Sequence, residues 1–394
     1  MIELNQLIIS NFKSLDRFVV DFSKFTCFIG LNSSGKSTVL HAIDFISQLM
    51  NGDITQWLED RNWESNELVC KLTENTLITI TVSFMFNDDF YIWSFNYNPI
   101  LKKCTYEEIY KYDKDLKNEE LILNIENTKY MIMKNLETKE KLEGDIITEY
   151  EGSFLAKFKD ELLPEAIKEF KSYLKNIYSL DLLSPSELRK RSKIGSEFGL
   201  NGANLSTFLN SFNENQKNEL LKKLKKCYKN LDTYNIKKSA DGLLRFELEE
   251  KFGENKLINE AKYLNDGILR LIAILAQLQS KKSFLLFDEI ENGINSELIE
   301  FILDTLIESN HQVMITTHSP MILNYIDDEV AKKSVQYIYK TDEGFTQSIP
   351  FFDVPSMQEK LDYMGAGEVY VDTNLSKLNE EIKIIEQNKE KEDK

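Results

Sequence analysis

Histidine is scarce, with three in 394 residues, which leaves little from which to build a His-rich metal centre. The four cysteines, Cys27, Cys70, Cys104 and Cys227, are widely scattered and show no C-x-x-C spacing. That excludes a disulfide frame or a zinc site and reads as free thiols in a reducing cytosol. No apolar run reaches membrane-spanning length, and residues 1–5 lack the basic-then-apolar pattern of a signal peptide. A cytoplasmic protein without a membrane partner is the expectation. Positive charge is also short: 48 Lys and Arg stand against 65 Asp and Glu, a net charge of −17. The molecule as a whole is therefore no electrostatic binder of nucleic acid, although local basic patches leave nucleic acid open as a partner. What is present is ample core material: 42% hydrophobic residues, enough for one large core or two to three lobes.

One stretch organises the chain. Gly30-Leu31-Asn32-Ser33-Ser34-Gly35-Lys36-Ser37-Thr38 follows the apolar run at residues 25–29 and precedes a helix-period segment at residues 39–46. Strand, glycine-flanked loop and helix together give a G-x-x-x-x-G-K-[ST] match the context of a P-loop. Gly30 and Gly35 permit a tight turn, so that the N–H groups of Asn32, Ser33, Ser34 and their neighbours form one anion-binding nest. The positive end of the following helix faces the same point. Lys36 can reach the outer phosphates of a nucleoside triphosphate, and the Ser37 hydroxyl can ligate Mg²⁺. A chance match at an ordinary loop-to-helix junction would not bring both flanks.

The remaining pattern is mixed. Residues 4–9 and 18–22 alternate as antiparallel strands. Residues 77–84 and 90–95 form a hairpin around Asn87-Asp88-Asp89, and more strands follow near 106–112, 120–125 and 129–134. Residues 165–175, 204–212, 216–230, 268–278 and 296–308 read as helices; 177–183, 243–249, 283–287, 312–316 and 334–339 read as strands. From residue 373 a charged helix fades into an end, 388–394, expected to fray. The basic cluster Arg189-Lys190-Arg191-Ser192-Lys193 suits either a phosphate contact or a solvated loop, and the lysines at 222–226 suit a solvated helix face. Some 250 residues separate Lys36 from Asp288, too many for a loop within one sheet. A second lobe must therefore be inserted. The expected plan is residues 1–60 and 261–372 as two parts of an ATPase core, 61–260 as a β-rich subdomain with an inserted α/β lobe, and 373–394 as a tail.

A second group of residues carries chemistry. The unbroken apolar strand Phe284-Leu285-Leu286-Phe287 ends in Asp288-Glu289. Asp288 is placed to hold Mg²⁺ opposite Ser37, and Glu289 to polarise an attacking water as general base. His318 follows the next apolar strand and is suited to hydrogen-bond a terminal phosphate. An acidic strand end and a structural histidine are the plain alternatives.

Taken in order, residues 11–14 (NFKS), 30–38 (GLNSSGKST), 264–267 (LNDG), 284–294 (FLLFDEIENGI) and 316–320 (TTHSP) resemble the ABC-type ATPases of the RecF, SMC and OLD group. More narrowly they resemble compact bacterial AAA-like ATPases with a RecF-type core, found in anti-phage defence systems. The resemblance implies an α/β P-loop NTPase of ABC type with an antiparallel β subdomain and an inserted α+β lobe. It implies ATP and Mg²⁺ as cofactors, and a head-to-tail homodimer or larger assembly sandwiching ATP. Asn265 and Gly267 would be the signature facing the partner's nucleotide, where relatives favour serine at the first position and a polar residue in place of Ile268. Residues 291–293 would be the loop touching the partner, Asn11 and Lys13 would lie near the nucleotide, and Gln56 is the candidate metal sensor. Such ATPases accompany a nuclease or toxin. The 74 residues that follow the His318 motif are too few for a fused nuclease of ordinary size, so an effector in trans is expected. A DNA-repair or DNA-clamping ATPase is the alternative; a transporter subunit fits the large insert poorly.

Overall fold

The computed structural model describes residues 2–113, 118–136, 138–181, 183–195, 198–199 and 201–392. The chain divides into two compact units: Met1–Ile177 with Thr316–Lys394, and Tyr178–Ile315. The first opens with β1 (Glu3–Ser10), β2 (Phe18–Asp21), β3 (Phe25–Ile29), α1 (Lys36–Asn51) and α2 (Ile54–Asp60). It continues with β4 (Ile78–Phe86), β5 (Asp89–Asn98), β6 (Lys103–Tyr112), β7 (Glu119–Glu126), β8 (Lys129–Asn135), β9 (Glu140–Asp145) and α3 (Glu165–Lys175). From the boundary onward come β10 (Ile177–Leu180), α4 (Pro185–Leu188), α5 (Leu205–Asn210), α6 (Glu214–Cys227), β11 (Leu231–Lys238), β12 (Leu244–Phe252) and β13 (Asn255–Glu260). The second unit ends with α7 (Asp266–Gln277), β14 (Phe284–Phe287), α8 (Ser296–Ile307) and β15 (Gln312–Thr316). The first unit then resumes with α9 (Pro320–Leu323), α10 (Asp328–Ser334), β16 (Val335–Lys340), β17 (Thr346–Pro350), α11 (Pro355–Leu361), α12 (Ala366–Val371) and α13 (Leu375–Glu392). No helix among the described residues is long and apolar enough to cross a membrane.

In the first unit, eight strands form an antiparallel sheet in the order β2-β1-β4-β5-β6-β7-β8-β9. Alternation along β5 buries Tyr91, Trp93, Phe95 and Tyr97 on one face, the period-2 signature of a half-buried strand. The β4–β5 hairpin closes through Asn87 and Asp88, with φ of 50° and 67°, while Asp89 already pairs with Phe86. Two left-handed residues, Asn then Asp, match the twist of the flanking strands. Helix α3 is amphipathic. Its Phe170 stacks on Phe84 at 3.8 Å between ring centroids, and Trp93 meets it edge-on.

Glu107 of β6 is buried behind this sheet. Its carboxylate accepts from the Ser153 hydroxyl and from the Phe154 N–H at 2.6 Å, and burial nevertheless pushes its pKa up to about 7. The native chain therefore keeps a proton that the unfolded chain releases above the ordinary glutamate value of 4.5. Stability contributed by this group is full below that value, falls as pH rises toward 7, and changes no further above it. Glu107→Gln keeps an acceptor for Phe154 and offers Ser153 a donor. Urea unfolding from pH 5 to pH 8 should show a shallower loss of stability in the variant, by on the order of 3 kcal/mol across that window. Parallel pH profiles for wild type and variant would refute the assignment.

The P-loop strand β3 is wholly buried and runs parallel to β16, with Cys27 opposite Val335 and Ile29 opposite Tyr337; β17 continues antiparallel on β16. In the second unit, β14 and β15 are parallel and fully buried, and β11-β12-β13 form a separate antiparallel sheet. The strand expected at 177–183 ends at Leu180; Leu182 lies outside the described residues. The charged helix expected from residue 373 is α13, Leu375–Glu392; of the end expected to fray, residues 393 and 394 lie outside the described residues. Leu378 and Ile382 are buried, Lys383 pairs with Asp342 at 2.6 Å, and the Tyr339 hydroxyl donates to Glu386. Those anchors tie the first part of the helix to the rest of the unit.

Candidate active site

The first unit holds the P-loop. Gly30, Ser33 and Gly35 have φ of 143°, 64° and 112°. These values let the loop double back before α1 begins at Lys36. Glycine is required twice for space as well. A Cβ at Gly30 would lie 2.2 Å from the Ile338 carbonyl, and one at Gly35 would lie 2.2 Å from Thr346 Oγ1. No side chain caps the first turn of α1, so Lys36, Ser37 and Thr38 head a 16-residue helix whose amino end presents its N–H groups. Lys36 is buried and folds back over the loop, donating to the Gly30 and Leu31 carbonyls at 2.9 and 3.0 Å. The Ser34 hydroxyl is buried without a hydrogen-bond partner, 3.1 Å from where a Gly30 Cβ would stand. A cradle that only glycine permits, an uncapped helix end and an orphaned hydroxyl fit a triphosphate.

The 11–15 turn wraps this loop, though not as the resemblance implied. Asn11 is buried with φ 67°. Its Oδ1 accepts from the Cys70 N–H and the Thr73 hydroxyl, and its Nδ2 donates to the Asn75 and Leu77 carbonyls. Four bonds saturate the amide, so Asn11 staples the 70–77 loop and has no capacity left for a nucleotide. Lys13 places its ammonium 3.0 Å from the centroid of Trp63, which also meets His41 and Trp57 edge-on. Gln56, exposed on α2, donates to Asp60 one turn on at 2.8 Å. His318 is exposed directly after Thr317, whose N–H donates to the Phe28 carbonyl in β3. His318 thus stands beside the strand that feeds the P-loop.

Sequence reasoning missed Thr346. Fully buried on β17, it donates from Oγ1 to the Ser34 carbonyl at 2.9 Å and lies 2.8 Å from Ser14 Oγ. Its N–H donates to the Ser14 carbonyl. One threonine ties the P-loop to the 11–15 turn. Nothing around residue 346 signals this, since the contact spans some 300 positions. Thr346→Val keeps the shape and loses the hydroxyl's bonds to Ser34, Ser14 and Lys340; Thr346→Ser keeps them. We expect nucleotide affinity to fall about tenfold in the valine variant and stay near wild type in the serine variant. Equal affinities in a fluorescent-nucleotide titration would remove Thr346 from the site.

The second unit holds the other group. Asp288 and Glu289 follow β14 half-buried, and Glu289 has φ 46°, an uncommon conformation for a non-glycine residue. Its carboxylate accepts from Asn292 Nδ2, while the Asn292 N–H donates to the Glu289 carbonyl at 2.9 Å. Asn265 caps α7, accepting from the Ile268 N–H at 2.9 Å, work that asparagine does as well as serine. Asn265, Asp266 and Gly267 line a cavity of about 550 Å³ together with Gly293, Ile294 and Asn295. Gly267 is obligatory there, because a Cβ would lie 2.5 Å from the Gly293 carbonyl.

Two arginines that the motifs do not include support this face. Arg189 donates to the Leu264 carbonyl at 2.8 Å and pairs with Asp266, bracketing Asn265. Lys190 pairs with Glu187 at 2.6 Å and Arg191 with Glu260 at 2.8 Å. The basic cluster is thus largely neutralised within the unit and buttresses the turn at residues 264–267, with exposed Lys193 at its end. Arg270, one turn into α7, donates to the Leu183 carbonyl at 3.0 Å. Burial lowers its pKa, against the opposing fields of Asp266 and Glu289.

The fold is that of an SMC head domain, built around a P-loop. Among solved structures the fold is similar to an SMC head bound to the C-winged helix domain of ScpA, at 15% identity and TM-score 0.52, covering 88% of this chain and 97% of that one. It is also similar to an SMC head domain with an extended coiled coil, bound to the C-terminal domain of ScpA derived from Pyrococcus furiosus. There the identity is 14%, the TM-score 0.52 and the coverage 92% and 100%. No curated protein matches the sequence. The family model described as "AAA domain, putative AbiEii toxin, Type IV TA system" matches residues 25–324, and the chain belongs to that family.

Proposed function

We propose that this protein is a Mg²⁺-dependent ATPase that closes into an ATP-sandwich homodimer and governs an effector acting in trans, a nuclease or toxin, in bacterial anti-phage defence. Lys36 would engage the outer phosphates, with the N–H groups from Asn32 to Thr38 cradling them. Ser37 and Asp288 would hold Mg²⁺, which supplies charge neutralisation at the phosphates. Glu289 would orient and deprotonate water, His318 would hydrogen-bond the terminal phosphate, and Asn265 and Gly267 would face the nucleotide of a second copy. Lys13 would leave Trp63 for a phosphate.

The observation that carries the dimer is the cavity lined jointly by Asn265, Gly267 and Gly293. It unites the two segments that the resemblance assigns to the partner-facing surface, at the amino end of α7. The test is the solution mass of wild type, Lys36→Ala and Glu289→Gln with and without Mg²⁺ and ATP. A stable ATP-dependent dimer of Glu289→Gln, absent in Lys36→Ala, supports the sandwich. One mass under every condition overturns it. Co-purification with the products of neighbouring genes, with ATP and without, tests the effector.

A further inference from the structure

The three-stranded sheet of the second unit ends in an open edge. Among the described residues β13 pairs with β12 alone, and no strand lies on its other side. The two strands join through a two-residue turn at Gly253 and Glu254, so Phe252 and Asn255 form the closing pair. By the alternation of an antiparallel ladder, Asn255, Leu257 and Asn259 then bond to β12. Lys256 and Ile258 turn their N–H and C=O groups outward, as Glu260 does its N–H.

Sheets usually protect such an edge, and this molecule does so elsewhere. At the margin of the eight-stranded sheet, β9 carries Leu142 as its one large apolar residue, among four charges and a glycine. That composition resists pairing with another chain. The β13 edge is not blunted in this way. Leu257 and Ile258 are 47% and 49% exposed and, being adjacent, lie on opposite faces of the strand. An open edge with apolar residues on both faces is a template for one more strand.

The sequence of β13 complements itself. Two copies related by a two-fold axis perpendicular to the sheet pair antiparallel, with facing residues on the same side. When Ile258 stands opposite Ile258 of a second copy, Lys256 stands opposite Glu260 and Glu260 opposite Lys256, a favourable cross-strand pair made twice. Within its own chain Lys256 already meets Glu249 at 2.6 Å, and Glu260 meets Arg191 at 2.8 Å. The pairing therefore joins these ion pairs into one row of alternating sign. Sliding by two residues is opposed in either direction. One slide brings Glu254 toward Glu260, and the other brings Lys256 toward Lys262.

We propose that β13 is a self-association edge, through which two copies of this chain join their three-stranded sheets into one continuous sheet. The contact needs no nucleotide, and its residues differ from those assigned to the ATP sandwich. A strand of six residues buries less than a standard interface, so the association is weak and concentration-dependent.

Sedimentation velocity over a concentration series tests it, on full-length Lys36→Ala without nucleotide, where the sandwich cannot form. The expected result is reversible dimerisation. In the same background, Ile258→Pro removes an N–H that faces only the open edge, where a strand tolerates proline, and should weaken dimerisation about tenfold or more. Lys256→Glu sets like charges opposite each other, and so does Glu260→Lys. Each alone should stay monomeric, whereas an equimolar mixture of the two should dimerise. A thermal melt verifies that every variant is folded. Monomer at all concentrations overturns the proposal; if Glu289→Gln still dimerises with ATP, the sandwich stands without it. Dimerisation unchanged by Ile258→Pro overturns it too, as does a mixture no more associated than its components.

Discussion

Glu289→Gln should lower steady-state ATP turnover by about 10²–10⁴-fold while changing nucleotide affinity only slightly, whereas Lys36→Ala should lose affinity itself. Glutamine matches the shape of Glu289 and can still accept from Asn292, so the loop after β14 keeps its form and only the basicity is removed. The backbone adds a reason to assign this residue a chemical role. A glutamate held at φ 46° costs about 1–3 kcal/mol. That strain persists because Asn292 fixes both its carbonyl and its carboxylate. Lys36 acts earlier. Its ammonium lies over the loop, bonded to the Gly30 and Leu31 carbonyls, which in the proposed function it would exchange for phosphate oxygens. Steady-state phosphate release together with equilibrium nucleotide binding separates the two effects. Turnover unchanged in Glu289→Gln would transfer the general base to another group.

Arg61→Ala should be the most damaging single change outside the phosphate site. Arg61 and Asp44 form an ion pair at 2.6 Å with both side chains 2% exposed. The Trp57 indole N–H donates to the same carboxylate oxygen, also at 2.6 Å. Removing one partner of a buried pair strands the other charge and costs about 3–5 kcal/mol. The loss is not confined to α2, because Arg61 also lies over the Trp57 and Trp63 rings, and Trp63 is the platform on which Lys13 rests. The apolar pair Asp44→Leu with Arg61→Met should recover most of the stability, since neither charge is then left buried. Urea unfolding of the single and double variants checks both statements. A single variant as stable as wild type would mean that the pair is solvated in solution.

Much of this molecule is legible from sequence where burial imposes a period. Segments such as residues 165–175, 283–287 and 312–316 announce themselves because one face or a whole strand must be apolar. Two edge strands are silent. β9 is Glu140-Lys141-Leu142-Glu143-Gly144-Asp145 and β13 is Asn255-Lys256-Leu257-Ile258-Asn259-Glu260, and both lie largely exposed at the margin of their sheets. They form by backbone pairing with a neighbour, so no alternation marks them. Gly144 even yields its side-chain space to the Tyr130 ring opposite. The phosphate loop is written locally and was legible in full. Its supports were not, because Thr346, Arg189 and Arg270 act on segments distant in the chain and carry no motif of their own. Asn11 shows the converse: a motif residue whose amide is consumed by the loop it braces.

The Thr346 clamp also has a bearing on biosynthesis. Gly30 rests against the backbone of β16, and Ser34 and Gly35 against a residue of β17, so the phosphate loop meets its final walls only after some 300 further residues have left the ribosome. Until then the earliest motif of the chain has its sequence but not its shape. Chains arrested before residue 335 should elute from an ATP-affinity matrix with the unbound fraction. Long-range closure of this kind is slow to form, and it reserves nucleotide for molecules whose C-terminal strands have docked.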